Sequence, residues 1–268
     1  MGAAARSVSL GAYVLHSHEW SESSLIVELF TRDRGRLAVV AKGARRPYSQ
    51  FRALLMPFQP IGITLGKAPA DESADLFTLR GAEFLGGHPL LSGGALFAGF
   101  YLNELLLKSL ARLDPHPALF DAYAATLPAL QGADDPRAQA GLRAFELLML
   151  RLVGVLPDLS VVTATQQPVA PQRAYVLRAE SGVVPAPAAG AAAQEPGSLD
   201  GAVLDALESA LAREQLDALQ RACLPALSPL RHGLRGLLHH HFGTAQLRTR
   251  QVFLGVQRLL ETPPPSAR

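Results

Sequence analysis

The pattern of apolar and polar positions along the first eighty residues reads as β, in an alternating stretch and dense apolar runs. Ser7–Leu15 alternates and His16–Glu22 breaks the pattern, while Ser24–Thr31 is a dense apolar run rich in β-formers. Arg32-Asp33-Arg34-Gly35 reads as a turn, with glycine where a positive φ is least costly. Arg36–Ala41 returns as a third strand, followed by a charged loop, Lys42–Ser49, whose Pro47 cannot donate to a sheet ladder. Gln59–Gly66 and Leu76–Phe84 read as two further strands, the second after the polar stretch Ala70–Asp75. Five short strands, the first three a meander, fit a small barrel of the OB type; an SH3-like barrel fits the pattern nearly as well.

From about Leu90 the period becomes helical. Ala95–Leu113 is stopped by Asp114-Pro115, and Pro117–Gln131 and Pro136–Gly154 follow, the latter with Asp135 as cap and proline at its first position. Asp158–Val183 is mixed and β-like. Val184–Gly197 reads as an Ala/Pro/Gly linker. Ser198 is then expected to cap a helix over Leu199–Arg213, with Glu214–Cys223, Pro229–His241 and Thr244–Leu260 completing the helical part before a disordered tail. The predicted organisation is α+β and multidomain: a barrel over 1–84, helices over 85–157, an insertion and linker over 158–197, helices over 198–262 and a tail over 263–268.

Charge sharpens this picture. The 268 residues carry 25 Lys and Arg against 23 Asp and Glu, a net charge of only +2. Yet the hairpin and following loop gather Arg32, Arg34, Arg36, Lys42, Arg45, Arg46 and Arg52 around the single acid Asp33. Such a concentration suits a phosphate backbone, or else marks a solvated hairpin. A second basic field lies between Ala218 and Leu260, where no acid occurs and Arg231, Arg235, Arg248 and Arg250 are prominent. Arg231 and Arg235, four apart, share a helix face. Tyr48, in a polar loop between Pro47 and Ser49, is the best candidate for stacking on a nucleic-acid base; Phe51 and Trp20 come next, and Phe30 and Phe58 belong to apolar runs.

Signatures of other chemistry are missing from the sequence. The hydrophobic fraction of 49 % supports a real core, but no window reaches the ~18 unbroken apolar residues of a membrane span. The N-terminal apolar run alternates like a strand and does not read as a signal peptide. One cysteine, Cys223, on an apolar stripe, excludes an intramolecular disulfide and a Cys-rich zinc site and fits a reduced cytoplasmic setting. Gly62–Lys67 is one residue short of a phosphate loop, with Ala68 where a Ser or Thr is needed. Three successive histidines, His239-His240-His241, point about 100° apart on a helix and cannot converge on one ion. His16 and His18 have no further ligand at a recognisable spacing. Glu104 and Glu146 read as helix-contact anchors or as partners of Lys108 and Arg143. A metal-dependent phosphodiesterase built on the histidines is therefore the weaker alternative, and no cofactor or metal is expected.

The segments AYVL, ESSLIVELFTRDRGRLAVVAKGARRPYS and MPFQP, in that order, resemble the N-terminal region of the RecO recombination mediators. YLNELLLKSLARLDPHPALFDAY and LRAFELLMLRLVGVLPDL extend the resemblance, which covers residues 7–160 well and Arg231–Arg250 more loosely. The ordered motif E-x-S-L…T-x-x-x-G-x-L…K-G-x-R-R is specific to it. The resemblance implies an OB-fold barrel followed by a mainly α-helical domain. It also implies a non-enzymatic mediator that binds single- and double-stranded DNA, anneals complementary strands and helps load RecA onto DNA coated by single-stranded-DNA-binding protein. RecR and the acidic C-terminal tail of the coating protein are the implied partners, with RecA an indirect one and a nucleoid-associated cytoplasmic location. By motif, Arg34, Lys42, Arg45 and Arg46 are expected to touch DNA, with Gly35 and Gly43 shaping the loops. Many members carry a four-cysteine zinc module after the L-P-x-L segment; here that small β-like insertion has no cysteine, and Tyr175–Leu177 with Ser181-Gly182 resembles a metal-free remnant held by packing or left disordered. The acidic-tail groove is expected near Arg137 and Arg143. A protein-interaction scaffold whose basic field binds acidic peptides is the alternative.

Overall fold

The computed structural model describes residues 9–66, 76–132, 135–187 and 197–243, together with positions 249 and 252. The chain divides into two compact units, one of Met1–Leu91 with Leu106–Gln131, the other of Ser92–Leu105 with Gly132–Arg268.

In the first unit, β1 (Leu10–Glu19), β2 (Leu25–Thr31), β3 (Gly35–Ala41), β4 (Ile61–Leu65) and β5 (Leu76–Phe84) close into a barrel of order β1-β2-β3-β5-β4. Every pairing is antiparallel except β3 with β5, where Ala38, Val39 and Val40 run alongside Leu76, Phe77 and Thr78. This is the OB-type barrel, and the SH3-like alternative falls away. Ala12, Val14, Val27, Leu29, Leu37, Val39, Ile61, Ile63, Phe77 and Leu79 fill its interior.

The strand run Ile26–Thr31 lacks alternation because its outer face is also covered. α2 (Gly93–Ser109) leads into α3 (Pro117–Ala129), whose Phe120 and Tyr123 pack against Tyr13 and Phe30 with ring centroids 5.1–6.2 Å apart. Aromatic pairs of this tilted and edge-on kind add to the area they bury. β1 outruns the expectation that it ends at Leu15. A bulge between Val14 and His16 absorbs one residue, and His16–Glu19 go on pairing with β2 as an exposed ribbon.

The expected helix over Ala95–Leu113 stops earlier, at Ser109. Leu113 takes φ +58° and its N–H donates to the Arg36 carbonyl at 2.8 Å, so the segment before Pro115 lies along β3. That approach explains Gly35. Its φ is +65°, and a Cβ there would fall 1.9 Å from the Asp114 carbonyl oxygen.

The second unit centres on α4 (Pro136–Leu152), started by Asp135, whose Oδ1 accepts from the Arg137 N–H at 2.9 Å. Its run from Ala144 to Leu150 is wholly buried. A small sheet of order β7-β6-β8, built from β6 (Ala174–Arg178), β7 (Gly182–Pro185) and β8 (Ser198–Asp200), packs against α7 (Leu227–Phe242), and α5 (Gly201–Ala212) and α6 (Leu216–Cys223) lie between β8 and α7 in the chain. Ser198 is not the expected helix cap. It pairs with Val176 in β8, and the helix starts at Gly201, where a Cβ would meet the Ala170 carbonyl at 2.2 Å. Strand pairing outweighs the local capping preference of serine.

The cysteine-free insertion is folded within its described part. The Thr163 N–H donates to the Val183 carbonyl of β7 at 3.0 Å, and its Oγ1 accepts from the Val183 N–H at 2.9 Å. The Tyr175 hydroxyl accepts from the Ala170 N–H at 2.8 Å. Residues 188–196 of the expected linker, the final helix apart from Thr249 and Val252, and the tail lie outside the described residues.

Gly35→Ala combines a strained φ with a backbone clash, so it should destabilise the first unit by roughly 2–4 kcal/mol. A thermal melt of the purified variant reads this, and an unchanged midpoint would contradict the packing described.

Candidate nucleic-acid interface

The basic stretch of the first unit divides into two sets of side chains. Arg32 forms a two-pronged ion pair with Asp121 of α3, Nε to Oδ1 and Nη2 to Oδ2 both at 2.9 Å. Arg36 is mostly buried; its Nη1 donates to the Leu107 carbonyl at 3.1 Å and lies 3.9 Å from Glu28, which Arg112 also engages. Arg45 donates to the Ser21 carbonyl at 3.0 Å and pairs with Glu19 at 2.7 Å, while its N–H reaches the Ser23 carbonyl. These three arginines join barrel, helix and loop to one another.

The side chains of Arg34, Lys42, Arg46 and Arg52 are exposed and form no hydrogen bond or ion pair among the described residues. Lys42 and Arg46 line an open groove of about 620 Å³, within the ~300–1,000 Å³ of ordinary ligand clefts. Arg80 of β5 is the third cation there. The remaining lining is Gly43, Pro47, Tyr48, Ser49, Gln50, Phe51, Leu54, Gly81 and Ala82, with no acid among them. Arg34, at the β2–β3 turn, and Arg52, on the short helix α1 (Phe51–Leu54), are outside this lining. Arg80 was missed by the sequence reading because it sits alone in an apolar strand, and only pairing with β3 brings it to the loop.

The loop between β3 and α1 is a chain of turns. Ala44 N–H bonds Ala41 carbonyl, Arg46 bonds Gly43, Ser49 bonds Arg46 and Arg52 bonds Ser49, each at 3.1–3.3 Å. Gly43 supplies a φ of +73°. Pro47 and Tyr48 are the two central residues of the Arg46–Ser49 turn, proline at its favoured place. Tyr48 stands 99 % exposed and Phe51 is half-buried. Trp20, in the loop that Arg45 holds, is 62 % exposed, and Phe30 and Phe58 are buried as expected.

In the second unit α7 carries no acid, and Arg231 and Arg235 are exposed on one stripe with His239. Arg248 and Arg250 lie outside the described residues. Below that face is a buried polar group. Glu146 accepts from the Tyr101 hydroxyl and pairs with Arg143 at 2.9 Å, while its Oε2 has no partner. Burial pushes the Glu146 carboxyl above its usual range against the pull of Arg143, Tyr101 and Arg231, and burial next to Glu146 raises the Tyr101 hydroxyl well above its own. Arg143 is thus held by Glu146, whereas Arg137 is exposed at the start of α4. Cys223 is buried and its thiol is pushed up to about 12 by desolvation, so it carries no thiolate near neutrality.

The histidine triplet is exposed at the end of α7, His16 and His18 are exposed on β1, and no three His, Cys, Asp or Glu side chains among the described residues could hold a metal ion. Nor, among them, is any helix long and apolar enough to cross a membrane.

Two family models match the chain: "Recombination protein O N terminal" over residues 6–87 and "Recombination protein O C terminal" over residues 91–251. Curated relatives agree. A protein described as "DNA repair protein RecO" from Polaromonas sp. (strain JS666 / ATCC BAA-500) is 48 % identical over 249 residues, 92 % of this chain and 96 % of that one. Those of Verminephrobacter eiseniae (strain EF01-2) and Delftia acidovorans (strain DSM 14801 / SPH-1) are 46 % and 45 % identical, each over 97 % of this chain and 100 % of theirs.

Glu146→Ala leaves Arg143 without its carboxylate and Tyr101 without its acceptor, and should cost about 3–5 kcal/mol. Glu146→Gln, which keeps an acceptor, should cost less. Equal melting midpoints for wild type and both variants would contradict a structural role for this group.

Proposed function

Since the chain belongs to the RecO family of DNA repair proteins, we propose that it is a non-enzymatic recombination mediator. It binds single- and double-stranded DNA, anneals complementary strands and assists RecA loading on strands coated by single-stranded-DNA-binding protein. RecR and the acidic tail of the coating protein are its partners, and it works on the nucleoid in the cytoplasm. The observation that carries this reading is the acid-free groove lined by Lys42, Arg46 and Arg80. Cations without internal partners are free to replace the counterions of a phosphate backbone, whereas Arg32, Arg36 and Arg45 would first have to break internal bonds. Annealing needs only that two backbones be screened, so no bond is made or broken by the protein.

Arg34 and Arg52 extend the contact beyond the groove, and Arg231 and Arg235 form a second phosphate-binding surface on the other unit; Arg248 and Arg250, expected to touch DNA as well, lie outside the described residues. The acidic tail binds that unit near the exposed Arg137, whereas Arg143 would first have to leave Glu146.

A fluorescent single strand titrated across a salt series tests the proposal. Four to six neutralised phosphates give log K against log salt a slope of about −3 to −4, from ~0.7 per contact. Lys42→Ala with Arg46→Ala should reduce that slope by ~1.4. A slope unchanged in this variant would move the main contacts to the α7 arginines, and absence of binding at low salt would remove the DNA reading altogether.

A further inference from the structure

Tyr48 poses a question that groove charge does not answer. A loop this tightly tied by turns, with Arg45 fixed to Glu19, Ser21 and Ser23, ends in an aromatic side chain 99 % open to solvent. Leaving a large side chain exposed forgoes the stabilisation its burial would contribute, and the turn fixes the backbone that carries it. Beside it the groove lining is small, Gly81 and Ala82, with Thr64 the nearest atom to a Cβ built on Gly81, at 3.9 Å. An open floor, an accessible ring carried on a tied turn and three cations along the same groove are what one unpaired nucleotide strand requires: space for a base, a face to stack it on, and charge for its phosphates.

Resting on the DNA reading above, we infer that this groove is selective for single strands, with the Tyr48 ring as the platform for an unpaired base and Arg80 as a phosphate contact beside Lys42 and Arg46. In a duplex the base faces are covered by their neighbours and only the edges reach the grooves. A ring therefore has nothing to stack on until the strand is unpaired. Phosphates, by contrast, are offered equally by both forms. Stacking at Tyr48 thus separates single strand from duplex, while Lys42, Arg46 and Arg80 do not. Because the turns form without ligand, little ordering is needed on binding.

The test uses the full chain with three fluorescent probes at one low salt concentration: an oligothymidine, the same length of abasic deoxyribose-phosphate strand, and a duplex. Tyr48→Ala should weaken oligothymidine binding roughly 5- to 100-fold and leave the abasic strand and the duplex unchanged, and Tyr48→Phe should restore it, since stacking needs the ring and not the hydroxyl. Arg80→Ala should weaken all three probes. Tyr48 touches no core, so an unchanged melting midpoint accompanies its loss. If Tyr48→Ala weakens the abasic strand as much as the oligothymidine, or weakens neither, base stacking is wrong while phosphate binding stands. If wild type binds none of the probes, this inference and the DNA reading fall together.

Discussion

The parallel pairing of β3 with β5 is the constraint on which the candidate site depends. It sets Val40 beside Thr78, and the same register carried two residues further brings Lys42 to Arg80. Both lie past the last residues that β3 and β5 pair, Lys42 just beyond the end of β3 and Arg80 within β5 where its register with β4 shifts, and both line the groove. Thirty-eight positions separate them in the chain, much of that taken by residues that do nothing for the charge of the groove. A slip of one residue in this pairing would turn Arg80 to the other face of β5 and leave the loop cations without their third member.

Arg32, Arg36 and Arg45 of the basic stretch serve to hold that geometry. Arg45 ties the loop after β3 to the β1–β2 loop, Arg32 ties the β2–β3 turn to α3, and Arg36 ties β3 to the end of α2. The exposed ion pairs of Arg32 and Arg45 contribute little stability each. Their value lies in fixing where Lys42, Arg46 and Tyr48 stand. Gly35 belongs to the same scheme, because only a residue without Cβ lets the Asp114 segment lie against the β2–β3 turn.

Much of this was legible in the sequence. Period-two alternation and the turn glycines located the barrel strands to within a few residues, and the helical period located α3 and α4, with Asp135 capping the latter as read. The failures share one cause, tertiary pairing overriding a local signal. β1 runs on through polar residues because β2 is there to pair with them, Ser198 joins a strand instead of capping a helix, and α2 stops at Ser109 because β3 takes the next segment. Charge density marked a stretch of the chain but could not sort its side chains. Whether an arginine faces an acid from a distant helix, as Arg32 faces Asp121, is set by the fold, and so is the arrival of Arg80 from a strand that looked unremarkable in charge.

Amide hydrogen exchange with and without a short single strand tests most directly the claim that the β3–β5 edge and its loop are the nucleic-acid interface. Peptides spanning residues 42–51 and 78–82 should slow together on addition of the strand. Protection confined to α7, with residues 42–51 and 78–82 exchanging as in the free protein, would contradict the account.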